Sequence, residues 1–435
     1  MAISRSTTVS GSGGLPGELV AVSQLVVESG AVASNTNVGR LGDVDVFGTA
    51  IGTTLSGIET TFGPQLSLLV VESGGVASNT SAGPSSEVDV FGTAIGTTLS
   101  GTQQASFSPV EFSQLVVESG GVASNTSAGP LSEVDVFGTA IGTTLSGVQG
   151  NFFDPVEVSQ LVVESGGVTS NTSVGPFGKI DVFGTAIGTT LSGANSGVSQ
   201  LVVESGGVAS STAISANATE QVNAGGFDNS ARISGGTQYD YGSASGDTIY
   251  GGGFQIVESG GTAIGTTISG GTEYVSSGGT AISTRINSGG LEVVSAGGIA
   301  SGTTINGGML EVASGGSTGS GPITFANAGG ILRLDDSQHF HGLIAGFASP
   351  SGVTEEIDLG DIVFSKRTHA TFKEDKNHLS GTLTVTDGTH TANLTLLGQY
   401  STGNFSLASD GHGGTVVTDP LIGSAGHAAL FAAQT

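Results

Sequence analysis

A near-exact internal repeat constrains this chain more than any other feature of its sequence. The segment Ser113–Gly147 reads SQLVVESGGVASNTSAGPLSEVDVFGTAIGTTLSG, and close copies surround Glu28, Glu72 and Glu164. A shorter period lies inside it: an anchor Val is followed by Ala six residues on, Thr nine on, and Ile or Leu eleven on. The long repeat is therefore two short ones, and the chain holds about fifteen units of about 19 residues.

The short unit predicts one coil of a β-solenoid. Nineteen residues are too few for a helical hairpin repeat, and the unit is rich in Val, Thr and Ile, which favour strands. Gly-Gly steps such as Gly120-Gly121 supply corners that β-branched residues cannot form. The repeated Val, Ala, Thr and Ile should point inward and stack on the next coil. We expect an all-β, single-stranded β-solenoid (β-helix) of about fifteen coils with a C-terminal β-rich capping module.

Two copies of the short unit carry a resemblance to a known family. Val257–Ile268 (VESGGTAIGTTI) and Val275–Ile286 (VSSGGTAISTRI) resemble the strand-loop-strand repeats of bacterial autotransporter passenger domains of the self-associating adhesin type. The resemblance covers about Ser23 to Pro322 and implies a surface location, with glycosylation of exposed Ser or Thr. That family ends in a membrane-embedded barrel, whereas no long series of alternating strands follows Pro322. We therefore expect that this chain is not a complete autotransporter.

The composition changes after the repeats, which indicates four segments. All seven histidines lie beyond Gly330, and short alternating runs broken by Asp-Gly and Gly-Gly turns follow. We expect an N-terminal lead-in at 1–22, a solenoid domain at 23–322, a β module at 323–420 and a tail at 421–435. The module resembles the C-terminal module of secreted alphaproteobacterial repeat proteins, which implies type I secretion. The tail is either a secretion signal or a frayed end.

Charge and hydropathy exclude several classes of partner. The net charge of −26 opposes nucleic acid and anionic membranes. No run approaches the roughly 20 apolar residues of a membrane span, so we expect no membrane insertion. We expect a protein that is secreted or displayed on the bacterial cell surface, with no cofactor.

Paired acids and one half motif are the candidate metal ligands. Carboxylates flank an inward Val in pairs that share the outward side of a strand: Asp43 with Asp45, Glu87 with Asp89, and Glu133 with Asp135. Calcium binding, polysaccharide hydrolysis and simple solvation of a flat surface are all open interpretations. The stretch GDTIYGGG places Asp247 at a ligand position of the glycine-rich calcium repeat. A calcium site takes oxygens from successive turns, and no second copy follows, so Asp247 is a weak candidate.

Three insertions interrupt neighbouring copies at equivalent points, so we expect them to project from one side. They are Ile58–Leu66, Thr102–Phe112 and Val148–Val158. Their aromatic side chains are the candidate partner contacts: Phe62, Phe107, Phe112, Phe152 and Phe153. The alternative is that these rings fold back as lids over the coil.

These features favour an extracellular, non-enzymatic adhesin or matrix and surface structural protein, of the kind found in biofilms. Its expected partners are cell-surface or matrix glycans, or other copies of itself. One alternative is a self-assembling filament or coat protein. Another is a polysaccharide-active β-helix enzyme, for which Tyr239–Gly253, with Asp240, Tyr241 and Asp247, is the one segment that departs from the repeat.

Overall fold

The computed structural model describes residues 3–5, 8–10, 23–60, 63–102, 111–149, 158–194, 197–326, 328–348 and 353–419. It divides into two compact units, Met1–Asn229 and Ser230–Thr435. Each unit is built from coils of three short strands that pair in parallel with their counterparts in the next coil. The predicted all-β solenoid is therefore confirmed.

In the first unit the strands stack in three columns, and each column contains the strands that occupy one position, first, second or third, in successive coils. The first strands are Ser23–Val27, Gly42–Val46, Ser67–Val71, Ser86–Val90, Ser113–Val117, Ser132–Val136, Ser159–Val163, Gly178–Val182, Ser199–Val203 and Ala218–Val222. The second strands are Ile3–Arg5, Val32–Ser34, Thr49–Ile51, Val76–Ser78, Thr93–Ile95, Val122–Ser124, Thr139–Ile141, Val168–Ser170, Thr185–Ile187, Val208–Ser210 and Phe227–Asn229. The third strands are Thr8–Val9, Asn37–Val38, Thr54–Leu55, Ser81–Ala82, Thr98–Leu99, Ser127–Ala128, Thr144–Leu145, Ser173–Val174, Thr190–Leu191 and Ala213–Ile214.

The inward register is the one that the sequence predicts. Val134, Ala140, Thr143 and Leu145 are all at most 1% exposed, and side chains alternate inward and outward along each strand, as strand geometry requires. Every coil buries its few apolar side chains against those of the coils on either side, so the core is a set of stacked rows. Parallel pairing begins before Ser23, because Ile3–Arg5 pairs with Val32–Ser34.

The Gly-Gly corner needs two glycines for two different reasons. Gly120 has φ +85°, a left-handed conformation that side chains disfavour, although a Cβ there would meet nothing within 4 Å. Gly121 lies so close to the next layer that a Cβ would be 1.9 Å from the carbonyl oxygen of Val90. The corner between the second and third strands uses Asn125 at φ 54°, a conformation that Asn tolerates better than most residues.

The second unit repeats the three columns and then changes. Its first strands are Thr237–Asp240, Phe254–Val257, Thr272–Val275, Leu291–Val294, Met309–Val312, Gly330–Leu334 and Glu355–Leu359. Its second strands are Ser243–Ser245, Thr262–Ile264, Thr280–Ile282 and Ile299–Ser301. Its third strands are Arg232–Ile233, Thr248–Tyr250, Thr267–Ser269, Arg285–Asn287, Thr304–Asn306, Ile323–Phe325 and Leu343–Ala345. The parallel columns thus extend beyond Pro322.

Antiparallel strands close the end of the second unit. They are His369–Glu374, Ser380–Thr386, Thr391–Leu397, Ser406–Ser409 and Thr415–Thr418, with 3-10 turns at Ser337–His339 and Thr402–Asn404. Thr391–Leu397 pairs with the last third strand, and Thr415–Thr418 pairs with the last first strand. The last strands of the first and third columns are therefore paired, which covers two strand edges that could otherwise promote aggregation.

An aromatic cluster forms the core beneath this closure. The rings of Phe325 and Phe347 have centroids 5.4 Å apart, and Phe405 packs 6.5 Å from Phe347. Phe372 and Tyr400 complete the cluster at 5.9 Å and 5.7 Å from Phe405. Large rings fill this wider core, whereas the buried apolar side chains of the narrow coils are Val, Ala, Leu and Ile.

Candidate functional site

The outward side of the first strands in the first unit is an acidic face. Rows that carry two carboxylates alternate with rows of Gln, Val or Leu, so that Glu87 and Asp89 lie between Leu68–Val70 and Gln114–Val116. The paired acids share the outward side of their strands, as predicted. Acidic rows two coils apart are separated by about 10 Å, close to the screening length at 0.1 M salt.

Amide side chains from neighbouring coils donate hydrogen bonds to several of these carboxylates. Gln114 donates to Asp135 at 2.9 Å, and Gln24 donates to Asp45 at 2.7 Å. Burial, together with the carboxylates of Glu87 and Glu118, raises the pKa of Asp89 to about 6. The acidic face therefore takes up protons in mildly acidic solution.

The outward side of the second strands is uncharged and partly apolar. From Val32–Ser34 to Val208–Ser210, none of these strands contains a charged residue. One outward column alternates Ile and Ser from coil to coil, and the other alternates Thr and Val. Ile95 and Ile141 are each 41% exposed. Such regularly spaced large side chains on a surface are typical of contact sites.

A row of phenylalanines borders this uncharged face. Phe47, Phe91, Phe137 and Phe183 each follow the last Val of a first strand in alternate coils, and each is 41–42% exposed. The following glycine fixes the corner, because a Cβ at Gly138 would lie 2.3 Å from the Glu118 carbonyl oxygen. We call the set Phe47, Ile51, Phe91, Ile95, Phe137, Ile141, Phe183 and Ile187 the Phe/Ile stripe.

The Phe/Ile stripe was missed by the sequence reasoning, although its signal was present. In VDVFGTAI the Phe follows the inward Val136 directly, and the Ile follows the inward Ala140 directly. Since neighbours along a strand point to opposite sides, both side chains had to lie outside. The repeated copies then had to align them into rows.

The third strands present a row of hydroxyl groups. Ser81, Thr98, Ser127, Thr144, Ser173 and Thr190 are successive partners in one ladder, and all are exposed. Each coil therefore offers one hydroxyl group at intervals of about 4.8 Å.

The predicted insertions leave the coils at equivalent points, directly after Gly57, Gly101 and Gly147. These glycines donate their N–H groups to the carbonyl oxygens of Pro84, Pro130 and Pro176, respectively. The second insertion begins and ends in a closed neck, where Thr102 and Glu111 exchange both backbone hydrogen bonds at 2.9 and 3.0 Å. Ile58–Thr60 and Gly63–Gln65 form an antiparallel hairpin in the first insertion.

Of the aromatic contact candidates, Phe112 is described and is 53% exposed. Phe62, Phe107, Phe152 and Phe153 lie outside the described residues. Their role as contacts or as lids stays a prediction.

Asp247, the calcium candidate, lies inside a coil. It is 1% exposed, and its carboxylate accepts the Ala231 N–H at 2.9 Å and the Gln255 amide at 2.9 Å. The surrounding segment is a regular coil, with strands Thr237–Asp240, Ser243–Ser245 and Thr248–Tyr250. Asp240 is 0% exposed, so neither carboxylate reaches the surface where a polysaccharide substrate would bind. The expectation that this segment departs from the other coils is wrong for its backbone.

The described ranges contain neither a metal-binding cluster nor a membrane-spanning helix. They hold no group of three or more His, Asp or Glu side chains arranged around a common metal position. They also hold no helix with the length and apolar character to cross a bilayer.

Comparison with known proteins gives structural similarities but no sequence family. No protein-family model matches the chain, and no curated protein matches it. The chain is similar to a solved structure described as the crystal structure of a TibC-catalysed, hyper-glycosylated TibA fragment, residues 55–350. The identity is 24%, the match covers 77% of this chain and 97% of that one, and the TM-score is 0.49. At this level the similarity assigns no function to the chain.

Fold and surfaces together define the class as a parallel β-solenoid repeat protein. Its first unit carries an acidic face, an uncharged face bordered by phenylalanine and a hydroxyl-bearing face.

Proposed function

We propose that the protein is an extracellular, non-enzymatic adhesin or surface structural protein that binds through repeated faces of its first unit. The observation that carries the proposal is the Phe/Ile stripe. Large apolar side chains recur there every second coil on the uncharged face, and covering them would release ordered water. A partner with a repeating structure would meet the same contact several times, so weak individual contacts would sum to strong attachment.

The favoured partners are cell-surface or matrix glycans. Sugar rings have apolar C–H faces that pack on aromatic rings, and they carry no charge that the acidic chain would repel. The Phe row gives one such ring every second coil, at intervals of about 10 Å. This assignment rests on the chemistry of the surface alone.

Self-association is a second candidate, favoured by the alternation of large and small side chains on the uncharged face. The Ile of one copy fits opposite the Ser of another when the two are offset by one coil. The acidic faces of two copies repel each other, so the uncharged face is where copies would meet. Either mode suits a secreted or surface-displayed protein.

The hydroxyl row supports the further proposal that exposed Ser and Thr are glycosylated. Ser127 and Thr144 are exposed, and they are direct partners on the third strands of adjacent coils. Mass spectrometry of the protein purified from its native host would detect the modification.

Substitutions to Ser test the Phe/Ile stripe. Ile95→Ser and Ile141→Ser reproduce the Ser of the adjacent rows, and Phe91→Ser with Phe137→Ser shortens the aromatic row. Val26→Ser is the matched control, because Val26 is 42% exposed on the acidic face. Attachment to glycan-coated surfaces and self-association in sedimentation velocity are measured at equal concentration.

We expect the four-site variant to lose at least tenfold in attachment or self-association, with the Val26→Ser protein unchanged. A loss in the attachment assay alone indicates adhesion, whereas a loss in sedimentation velocity alone indicates self-assembly. Unchanged behaviour of the four-site variant in both assays would remove the stripe as the contact surface.

The insertions are proposed as a second contact, through Phe62, Phe107, Phe112, Phe152 and Phe153. The neck between Thr102 and Glu111 allows a clean test, because residues 103–110 can be replaced by Asn-Gly to give a two-residue hairpin. Closing the loop costs little entropy, so melting should change little while attachment falls. Lower stability with intact attachment would instead identify the rings as lids.

A further inference from the structure

One inward column changes from apolar to polar side chains, beginning at Glu220 in the last first strand of the first unit and continuing in the second unit. Gln238, Gln255, Glu273, Glu292 and Leu310 occupy the same register position of five successive first strands. All five are 0% exposed. The same position in the first unit is apolar through Leu201, as in Leu115 and Val134. Two glutamates therefore stand in adjacent coils inside the core.

Each glutamate has one oxygen that is hydrogen-bonded and one that is not. Thr284 donates its hydroxyl to Oε2 of Glu273 at 2.9 Å, and Thr303 donates to Oε2 of Glu292 at 3.0 Å. The Oε1 atoms of both are buried without a hydrogen-bond partner among the described residues. A buried carboxylate oxygen without a donor costs free energy.

No positive charge compensates the pair. Arg232 and Arg285 are the only basic residues between positions 230 and 332, and both occupy outward, exposed positions. On one side Glu273 faces Gln255 in the preceding coil. The Gln255 amide donates to the buried carboxylates of Asp240 and Asp247, at 2.8 and 2.9 Å.

The remaining neighbours of the pair are neutral. On the other side Glu292 faces Leu310. Across the coil the facing side chains are hydroxyls, from Thr266, Thr284 and Thr303. If both glutamates ionised, two further negative charges would enter an acidic, fully buried core.

The pKa values follow from this environment. Burial raises the pKa of Glu273 to about 7, with the carboxylate of Asp247 adding to the effect and hydrogen bonds from Thr284 and Thr266 opposing it. Burial also raises the pKa of Glu292 well above its usual range, and the neighbouring Glu273 carboxylate raises it further. At least one proton therefore stays on the pair near neutral pH.

We propose that Glu273 and Glu292 form an internal pH switch, in which the folded core keeps these adjacent buried carboxyl groups protonated and alkaline solution weakens the surrounding coils by removing the protons. The protons come from solvent during folding. Adjacent coils are about 4.8 Å apart, so ionising both carboxyl groups would place two negative charges close together inside the core.

The direction of the pH dependence follows by linkage. The folded pKa values lie above the unfolded value of 4.5, so the folded state binds more protons between these limits. The stabilisation is complete below about pH 4.5 and is lost as the pH rises through about 7. For each proton held only by the folded state, the unfolding constant rises about tenfold per pH unit in that window. Acidification therefore tightens these coils.

The test compares the full-length protein with Glu273→Gln/Glu292→Gln. Gln is already accommodated at Gln238 and Gln255 in the same column, so the variant is expected to fold. Glu258→Gln, at a half-buried position in the turn after Val257, is the control for the loss of one carboxylate. Unfolding of the coils is followed by hydrogen exchange of peptides spanning 272–294 at several pH values, after correction for intrinsic exchange. Difference infrared spectroscopy reads the carbonyl band of protonated carboxyl groups directly.

We expect the native protein and Glu258→Gln to show about a tenfold loss of protection per pH unit between about pH 5 and 7. The double variant should lose this slope and its protonated-carboxyl band at pH 6. An unchanged slope in the double variant, or a native protein without the band at pH 6, would overturn the proposal. If the double variant does not fold, Glu292→Leu, which copies Leu310, and the infrared spectrum of the native protein still decide.

Discussion

Replacing Thr143 by Val should stabilise the first unit, although Thr at this position recurs in nearly every coil. The Thr143 side chain is 1% exposed, and its hydroxyl oxygen has no hydrogen-bond partner among the described residues. Val has nearly the same shape and the same preference for strands. The substitution thus removes a buried polar group without a partner and fills the same space with a methyl group.

The expected gain is about 1–2 kcal/mol, since an unsatisfied buried hydroxyl costs about 1–3 kcal/mol in proteins. For a unit of this size this corresponds to roughly 2–8 °C in melting temperature. Thr97 and Thr189 are buried in the same way, two coils to either side. Because they are about 10 Å from Thr143, the gains of the triple variant Thr97→Val/Thr143→Val/Thr189→Val should be nearly additive.

Urea unfolding followed by circular dichroism measures the change, with the slope against denaturant expected to stay constant. Thr144→Val is the control, because Thr144 is the exposed neighbour in the same strand and should change stability by less than about 0.5 kcal/mol. A Thr143→Val protein that is destabilised by about 1 kcal/mol or more would refute the reasoning. Its hydroxyl would then have to be bonded in the core.

Three further predictions test the register, the corners and the metal question. Val117→Asp should lower the free energy of unfolding by more than about 4 kcal/mol, because it buries a charge without a partner. Glu118→Lys, at an outward position, should lower it by less than about 1 kcal/mol. Equal losses in urea unfolding would show that the inward register is wrong. Gly121→Ala should lower the free energy of unfolding by about 3 kcal/mol, because its Cβ would lie 1.9 Å from the Val90 carbonyl oxygen. Gly120→Ala should lower it by about 1–2 kcal/mol, because only the left-handed backbone is disfavoured there. The reverse order would contradict the explanation of the Gly-Gly corner. EDTA should leave the melting temperature unchanged, since Asp247 is bonded to Ala231 and Gln255; a large fall would reinstate Asp247 as a metal ligand.

The coil could be predicted from the sequence because its signal is periodic and local. Inward positions such as Val134 and Ala140 repeat at fixed spacing, so stacking identical units reproduces the same contacts many times. The paired acids were placed on the outward side for the same reason. Copies of one segment also fixed the equivalent exit points of the insertions after Gly101 and Gly147.

The functional surfaces were harder to predict because they depend on which rows become neighbours. The stripe needs Phe91 and Ile95 to align with Phe137 and Ile141 two coils away, and only the register gives that alignment. Asp247 was read as a calcium ligand from a motif that normally places its carboxylate in a loop. Here the side chain points inward, at the position that Thr occupies in other coils, and a motif alone does not specify direction.

The buried Thr column explains why the two units respond differently to the same substitution. In the first unit Thr143 stands across the coil from Val134, and its hydroxyl is without a partner. In the second unit Thr284 occupies the same repeat position but donates to Glu273. Thr284→Val would remove this hydrogen bond from the buried carboxyl and should destabilise the protein by about 1–3 kcal/mol at neutral pH, where Thr143→Val stabilises it. One repeat position thus carries opposite energetic roles, because the residue across the coil changed from an aliphatic side chain to a carboxyl group.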